Sequence, residues 1–362
     1  MPSLLLKALL TMLCAGLVAC QRNEPVEAPK TIVDVPANTG EGGALSGGVP
    51  PPAPRRADVD VLEGTDWPKA LLTSGQASIR CDVDHDPAME DGSVPVTDLS
   101  YSSVMEAVKP CEKPGVVRLR YTGKIGTDFT ALVERVANIA KRLEIKRRVL
   151  DLDSSGGHVE DAMKAGDAIG ASHWMLRVRD NAICHSACVL ILAAGDDRVI
   201  TGKVGIHRMI RIGSEATTRA ELNQELREVY AKMKDYLERN GASVAVADLM
   251  MTVPNRKLRL LTEDELQEYG LDGTNAVQDD LERIRLTREC GEDFVRRKDD
   301  FDRAFERSCA KVEPGQGLEA AYECGLALRA GFGFPDETCP KDSPLSDYEG
   351  AVAPGPIQAG AQ

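Results

Sequence analysis

The sequence predicts an α/β protein in which a parallel sheet is followed by a C-terminal helical extension. Between residues 116 and 275, short apolar runs of strand length alternate with longer runs whose apolar residues recur at helical spacing. This alternation is typical of a parallel sheet with crossover helices. From residue 276 to 345 the chain is charged, has a helical pattern and carries four cysteines, which indicates a helical extension held by disulfides.

Strand and helix patterns follow one another along these two regions. The predicted strands are 116–121, 148–152, 174–178 and 198–200. The predicted helices are 128–142, 159–169, 186–194 and 217–240, and a capping box at 262–265 begins one more, which stops near Gly270. In the extension, two charged helices at 281–309 and 318–330 are expected to form a hairpin pinned by disulfides.

The N-terminus carries a pattern for export. Residues 4–19 are apolar apart from two polar residues, and a run of about 16 residues is short for a membrane span but suits a signal peptide. The run ends in Leu-Val-Ala-Cys at 17–20, which matches the bacterial lipobox, so Cys20 is expected to carry lipid. Gln21 after it favours sorting to the outer membrane, with the folded part facing the periplasm. An uncleaved anchor and a plain secretory signal are the alternatives.

Composition divides the whole chain into six segments. Residues 20–60 are rich in Gly and Pro and can bury little apolar surface, so they are expected to form a disordered tether. The predicted division is a signal peptide at 1–19, the tether at 20–60, a small lead-in segment at 61–115, the α/β domain at 116–275, the helical extension at 276–345 and a flexible tail at 346–362.

Charge and cysteine content narrow the function. The 362 residues have a formal net charge of −13, which disfavours a nucleic-acid partner because phosphate neutralisation needs surplus Lys and Arg. Of ten cysteines, one leaves with the signal peptide and another takes the lipid. The remaining even set predicts disulfides in an oxidising compartment. That set is Cys81, Cys111, Cys184, Cys188, Cys290, Cys309, Cys324 and Cys339. Sequence order suggests Cys81 with Cys111, two bridges among the last four, and a local bridge between Cys184 and Cys188.

Three short motifs supply the parts of a serine hydrolase. Residues 152–157 end a strand with Ser-Ser-Gly-Gly, residues 184–188 lead into an apolar helix, and residues 205–207 follow a strand. Ser186, at the start of the helix, lies where backbone N–H groups favour a developing anion. His207 can act as its general base.

Backbone groups at the same motifs can stabilise an oxyanion. Gly156 and Gly157 allow the backbone to approach a substrate carbonyl closely. The amide of Gly157 and the amide of Ala187, directly after the serine, are the predicted oxyanion donors.

These motifs resemble the proteolytic subunit of the Clp protease (ClpP), within the wider ClpP/crotonase fold. The quoted features are Asp153-Ser-Ser-Gly-Gly157, Ser186 with its apolar helix ending in Ala-Ala-Gly195, Ile206-His207 and Glu268-Tyr-Gly-Leu271, and the resemblance spans residues 116–272. It is closest to the periplasmic branch, in which Cys-x-Ser-Ala-Cys surrounds the serine. The resemblance implies a ClpP/crotonase-like spiral of ββα units, a peptide or protein substrate and no cofactor. It implies Ser186 as nucleophile, His207 as base and Gly157 as oxyanion donor, and leaves open a homo-oligomer.

One catalytic part of that family is missing. The family's triad Asp lies shortly before the Glu-Tyr-Gly-Leu segment, and the corresponding residues 255–260 include no carboxylate. An ungapped alignment puts Leu258 in its place. Loss of the group that orients the histidine can lower the rate of a triad about 10⁴-fold.

Structural roles are the alternatives for the same side chains. Ser186 is also a favoured helix N-cap, the two glycines could form only a tight turn, and His207 could be a hydrogen-bonded structural residue. Cys184 and Cys188 could bind a metal with a neighbouring histidine, His185 or His158. Oxidising surroundings favour a disulfide instead, so no metal is expected, and His158 and His173 are expected to have no role in catalysis.

The sequence supports three hypotheses of function. The first is a lipid-anchored serine peptidase that uses Ser186 and His207 on peptides or unfolded protein, and the presence of both residues favours it. The second is a non-catalytic module that binds a peptide or protein in the same cleft, and the missing Asp favours it. The third is a Ser–Lys hydrolase with Lys203 as base. A crotonase-type acyl-CoA enzyme is disfavoured, since CoA is not expected outside the cytoplasm.

Overall fold

The computed structural model of the chain describes residues 64–82, 92–209, 214–254, 257–309 and 318–346. The predicted signal peptide, Cys20, the tether at 20–60 and all but the first residue of the tail at 346–362 lie outside the described residues. Within the ranges that are described, no helix is long and apolar enough to cross a membrane.

Strands and helices alternate through most of the described chain. The strands are β1 (Gly75–Arg80), β2 (Val94–Pro95), β3 (Val116–Gly123), β4 (Arg147–Asp153), β5 (Met175–Val178), β6 (Ile183–His185), β7 (Asp197–Ile200), β8 (Lys203–Ile206), β9 (Arg259–Leu260) and β10 (Gly273–Thr274). The helices are α1 (Tyr101–Val108), α2 (Thr127–Arg142), α3 (Val159–Gly170), α4 (Cys188–Leu192), α5 (Arg219–Arg239), α6 (Ala245–Thr252), α7 (Glu263–Glu268), α8 (Ala276–Cys290), α9 (Glu292–Ser308) and α10 (Leu318–Arg329). Short 3₁₀ helices lie at Lys109–Cys111, Ala330–Phe332 and Pro340–Asp342.

The main sheet has seven strands in the order β10-β7-β5-β4-β3-β1-β2. Its central strands β3, β4, β5 and β7 run parallel, whereas β1, β2 and β10 are antiparallel to their neighbours. The predicted α/β class is therefore confirmed, and the four predicted strands form the centre of the sheet. The sheet is mixed rather than wholly parallel, because segments from before and after the central strands pair along its edges.

One face of the main sheet forms the core. Leu119 and Tyr121 of β3 and Leu150 of β4 alternate with polar neighbours and are fully buried, together with the apolar side of α2. The Tyr121 ring packs on Phe129 of α2, with ring centroids 4.5 Å apart. Each such side chain stabilises the fold by about 1.5–3 kcal/mol relative to an exposed one. The apolar face of the sheet and the apolar side of α2 thus pack together in one layer.

The lead-in segment is part of this sheet. Its strand β1 pairs with β3, and Ile79 on β1 belongs to the same core. The amides of Thr73 and Ser74 each donate to Asp128 at the start of α2 over 2.7 Å. A disulfide joins Cys81 to Cys111. Residues that the sequence suggested as a separate small segment therefore stabilise the α/β unit directly.

A second sheet of three strands, in the order β6-β8-β9, was not predicted. β6 and β8 are parallel, and β8 and β9 are antiparallel. These strands have only two to four residues, so no alternation is visible in the sequence. The predicted helix at 186–194 was wrong at its start, since α4 begins at Cys188. Ser186 has φ +57°, a left-handed conformation that cannot continue into a right-handed helix.

The helical extension has its own apolar cluster, in which Phe294, Phe301 and Phe334 pack together. The prediction of one helix at 281–309 was wrong. Two helices, α8 and α9, meet at Gly291, whose φ of +88° ends one helix and begins the next. Disulfides join Cys290 to Cys339 and Cys309 to Cys324, so the predicted pinning by disulfides is confirmed.

Candidate active site

The loop after β4 is fastened to β6, directly before Ser186. The amide of Ser154 donates to the carbonyl oxygen of Ile183 over 2.7 Å, and the amide of His185 donates to the carbonyl oxygen of Ser154 over 2.9 Å. Asp153 Oδ1 also accepts the amide of Ile183 at 3.1 Å. These bonds bring the first two sequence motifs together, although about 30 residues separate them.

Both glycines of the loop occupy positions that exclude a side chain. Gly156 has φ +96°, and a Cβ there would lie 2.6 Å from the His185 carbonyl oxygen and 2.7 Å from Ser186 Cβ. A Cβ on Gly157 would lie 2.0 Å from the carbonyl oxygen of Ile125. The Gly-Gly pair therefore does more than form a turn, because its lack of side chains lets the loop contact the turn that carries Ser186.

Ser186 lies on a sharp turn between β6 and α4. Its amide donates to the carbonyl oxygen of Gly205 over 2.8 Å, and its side chain is largely buried. A left-handed conformation costs a residue with a Cβ roughly 1–2 kcal/mol, so surrounding contacts must hold it. One such contact is the disulfide between Cys184 and Cys188, which brackets the turn and is fully buried. Backbone strain at a serine held in this way is typical of functional sites.

Two backbone amides beside Ser186 have no acceptor among the described residues. The amide and carbonyl of Ile125 bond to the carbonyl of Gly156 and the amide of His158, so the N–H of Gly157 faces the other side. The amide of Ala187 lies 3.1 Å from the position a Gly156 Cβ would take, and it makes no bond within the described chain. Ala187 is fully buried, where backbone amides are nearly always paired, whereas Gly157 is exposed. The two amides are the candidate donors at this turn.

His207 follows β8 and is oriented by the backbone. Its Nδ1 lies 3.0 Å from the carbonyl oxygen of Arg208. Because a carbonyl oxygen can only accept, Nδ1 carries the proton and Nε2 offers the lone pair that a general base needs. Among the described residues, neither ring nitrogen forms a hydrogen bond with the Ser186 hydroxyl. The third motif therefore follows β8, the strand next to β6, which leads to Ser186, and the Arg208 carbonyl fixes the tautomer of its imidazole.

The strand pairing of β8 with β9 sets the residue that faces His207. Gly205 lies opposite Leu260 and Ile206 opposite Arg259, so continuation of this register puts Leu258 opposite His207. The Leu258 side chain lies against Gly205 and is 43% exposed. An apolar side chain rather than a carboxylate thus lies beside the end of β8. A neutral carbonyl orients the imidazole instead, and it stabilises an imidazolium less than a carboxylate does.

A second imidazole, His185, lies at the site and was considered in the sequence only as a metal ligand. It pairs with Gly205 across β6 and β8, and its Cδ2 is 2.9 Å from where a Gly205 Cβ would be. Burial, and then the charge of His207, lower the pKa of His185 below its ordinary value of 6.5. Its Nε2 is buried without a hydrogen-bond partner in the described chain. Its position next to the serine was the only signal in the sequence.

The other two histidines that the structure describes lie beside carboxylates outside the site. His158 Nδ1 is 3.1 Å from Asp161, and His173 Nδ1 is 2.8 Å from Asp196. The alternative base, Lys203, is exposed at the opposite end of β8 from His207.

One group of candidate metal ligands occurs in the described part of the chain, namely Cys290, Cys339 and Asp342. Its two sulfurs are bonded to each other, so they provide no thiolates.

No family model matches the chain, and no curated protein matches it. Solved structures with partial similarity include membrane-bound proteases. One is a mutant of 1510-N, a membrane-bound stomatin-specific protease, with 19% identity and a TM-score of 0.35 over 45% of this chain and 81% of that chain. A second mutant of 1510-N, in complex with a substrate peptide, has 21% identity and a TM-score of 0.35 over 42% of this chain and 71% of that chain. This degree of likeness carries no argument about function, which rests on the chain's own residues.

Proposed function

We propose that the chain is a lipid-anchored envelope protein whose ClpP-like α/β domain acts as a serine peptidase on peptides or unfolded protein. The observation that carries the proposal is the left-handed turn of Ser186 beside two amides, those of Gly157 and Ala187, that have no acceptor in the described chain. An N-cap serine alone requires neither feature. A serine nucleophile uses the two donors, because the tetrahedral intermediate formed on it carries a negative oxygen.

The proposed reaction uses each of these groups once. Ser186 Oγ attacks the substrate carbonyl carbon while His207 Nε2 takes the hydroxyl proton. The carbonyl oxygen becomes an oxyanion held by the amides of Gly157 and Ala187. The protonated His207 then gives its proton to the leaving amine, and water hydrolyses the acyl-enzyme by the same route. The carbonyl of Arg208 keeps the imidazole in the correct tautomer, but without a carboxylate the peptidase is expected to be slow.

A fluorophosphonate probe, which traps activated serines, tests this proposal. Folded chain is expected to be labelled at Ser186, and Ser186→Ala or His207→Ala is expected to abolish the labelling. Ser155→Ala is the matched control, because this exposed serine lies in the same loop and is expected to leave labelling unchanged. Circular dichroism checks that each variant folds. Absence of labelling in folded wild-type protein would refute the peptidase.

The second candidate is a non-catalytic module that binds a peptide or protein in the same cleft. Leu258, in the position opposite His207, favours it, because an apolar residue there removes catalytic power but not cleft shape. Binding of a fluorescent peptide to wild type and Ser186→Ala tests this candidate. Equal affinity for the two chains, with no cleavage of the peptide and no labelling by the fluorophosphonate probe, would select it.

The proposed anchor depends on Cys20 and is tested separately. Wild-type chain expressed in a Gram-negative host should fractionate with the outer membrane, facing the periplasm, and Cys20→Ser should move it to the soluble fraction. A Cys20→Ser chain that stays in the membrane fraction would argue for an uncleaved anchor.

A further inference from the structure

A second polar site lies on the face of the main sheet away from the apolar core. Four arginines, Arg80, Arg118, Arg120 and Arg179, line a cavity of about 180 Å³ together with Asp151 and two serines. None of these residues belongs to the candidate active site. The strand alternation that buries Leu119 and Leu150 on one face puts the charged residues of β1, β3, β4 and β5 on the other.

The cavity concentrates positive charge in an acidic protein. Among the described residues, four guanidinium groups and two carboxylates, Asp151 and Asp82, meet here, although the chain has a net charge of −13. Arg118 is 2% exposed and Asp151 is 3% exposed, so water does not screen them well. Burial, opposed by Asp151 and Asp82 and assisted by Arg177 and Arg179, lowers the pKa of Arg118. Guanidinium groups that are shielded from water in this way are favourable partners for an anion.

Polar atoms without partners mark where that anion would bind. Asp151 Oδ2 accepts from Arg179 Nη2. The other carboxylate oxygen, Asp151 Oδ1, and the Nε and Nη1 atoms of Arg179 are buried with no hydrogen-bond partner in the part of the chain that is described. Buried groups of this kind are normally satisfied. A ligand that fills the cavity must therefore accept hydrogen bonds from Arg179 and donate one to Asp151.

We propose that this cavity binds a phosphate group. Two oxygens of a phosphate can accept the two parallel N–H donors of a guanidinium, as the two oxygens of a carboxylate do. Unlike a carboxylate or a sulfate ion, inorganic phosphate keeps a proton at neutral pH, and this proton can be donated to Asp151 Oδ1. Sulfate has the same shape but no proton to donate, so the carboxylate repels it. Ser78 and Ser93, the remaining lining residues, add neutral donors.

The size of the cavity limits the ligand to a small group. Sites for drug-sized molecules measure about 300–1,000 Å³, whereas this cavity has about 180 Å³. It fits a free phosphate or the phosphate of a headgroup at its mouth. Both sources share the same recognition chemistry. Neither depends on peptidase activity, so the two proposals can fail independently.

The site is tested by calorimetry with inorganic phosphate and with sulfate at matched ionic strength. The protein used is the Cys20→Ser variant, which cannot carry lipid at residue 20. Phosphate is expected to bind about 100-fold more tightly than sulfate, because sulfate would leave the buried Asp151 Oδ1 without a hydrogen-bond donor. Arg120→Gln, at an exposed lining residue, should weaken phosphate binding about tenfold. Arg288→Gln, at an exposed arginine elsewhere, is the control and should change nothing.

A further variant tests the role of the carboxylate. Asp151→Asn should bind sulfate and phosphate alike, because its amide donates where the carboxylate accepts. If this variant does not fold, the phosphate-to-sulfate ratio of the parent and the effect of Arg120→Gln decide the question. Equal affinity for the two anions in the parent, or no phosphate binding by folded protein, would overturn the proposal.

Vesicle flotation distinguishes the two sources. Binding to phosphatidate vesicles but not to phosphatidylcholine vesicles, displaced by free phosphate and lost in Arg120→Gln, would identify a phosphomonoester headgroup. Calorimetric binding of phosphate without vesicle binding would identify a soluble phosphate. Vesicle binding that Arg120→Gln leaves unchanged would contradict this site.

Discussion

Restoring a carboxylate opposite His207 is the sharpest test of the candidate active site. Directly opposed residues of antiparallel strands have Cβ atoms about 4.5–5.5 Å apart. The β8–β9 register ends with Ile206 opposite Arg259, and its continuation by one residue would put Leu258 in that relation to His207. Leu258→Asp therefore brings a carboxylate within reach of the imidazole. The charge should stabilise the imidazolium that forms when His207 takes the Ser186 proton, so the variant should react faster than wild type.

The size of the gain follows from the exposure of the position. Two unit charges about 4 Å apart interact by about 1 kcal/mol in water and about 4 kcal/mol near a protein surface. Leu258 is 43% exposed, so the lower part of this interval applies. A barrier lowered by about 1.4 kcal/mol corresponds to a tenfold gain in rate. The expected gain is therefore about tenfold, well below the roughly 10⁴-fold effect of an optimised triad carboxylate.

The assay is the second-order rate of labelling by a fluorophosphonate probe. Leu258→Asn tests whether charge or mere polarity acts, and Leu260→Asp tests a carboxylate placed opposite Gly205 instead of His207. Neither control should exceed wild type by more than about twofold. A folded Leu258→Asp chain that labels no faster than Leu258→Asn would refute the assignment of this position and weaken the role of His207.

Three further perturbations have expected outcomes. Removing the disulfide with Cys184→Ala and Cys188→Ala should lower the free energy of unfolding, measured by chemical denaturation, by only about 2 kcal/mol, since the closed loop is short. The same change should slow labelling of Ser186 much more than this loss of stability accounts for. A labelling rate that falls no further than the loss of folded protein would contradict a positioning role for the disulfide. Burial, and then the charge of His207, lower the pKa of His185 below 6.5, so its protonation favours the unfolded chain. The stability that is present above pH 6.5 should therefore decline as the pH falls below this value. His185→Gln should flatten this part of a thermal-shift profile. Burial raises the pKa of Asp128, but hydrogen bonds from Ser74 and Thr73 outweigh it and lower this pKa to about 2. The charged carboxylate therefore contributes stability that is present above pH 3.8 and is lost as the pH falls through 2, and Asp128→Asn should remove this contribution. An unchanged acid transition in circular dichroism would contradict this.

Local pattern was sufficient for the central strands and long helices. The strands β3, β4, β5 and β7 and the helix α2 agree with the predicted ranges because period-2 and period-3.6 patterns persist over enough residues to be distinguished. The break at Gly291 was missed because charged residues on both sides continue the helical pattern. Only the backbone angle of the glycine shows that the chain turns there.

The geometry of the candidate site was not apparent in the sequence, although its motifs were. The motifs around Gly157, Ser186 and His207 were apparent in the sequence. The contacts that join them are backbone hydrogen bonds, in which Ser154 both donates and accepts and the Gly205 carbonyl accepts from Ser186. These bonds depend on strand pairing rather than on side-chain identity. For the same reason the carbonyl of Arg208 as partner of His207 has no signature in the sequence.

The strand pairing around Ser186 also has a consequence for the order of folding. The turn depends on segments near residues 125, 154, 184 and 205, each of which lies far from the next along the chain. Contacts of large sequence separation form late, since the entropy of loop closure must be overcome before they stabilise anything. The turn of Ser186 therefore forms only after all four segments, from residue 125 to residue 205, have been made and brought together. Newly made or partly unfolded copies, which would themselves be substrates for such a peptidase, carry no competent site with which to attack one another.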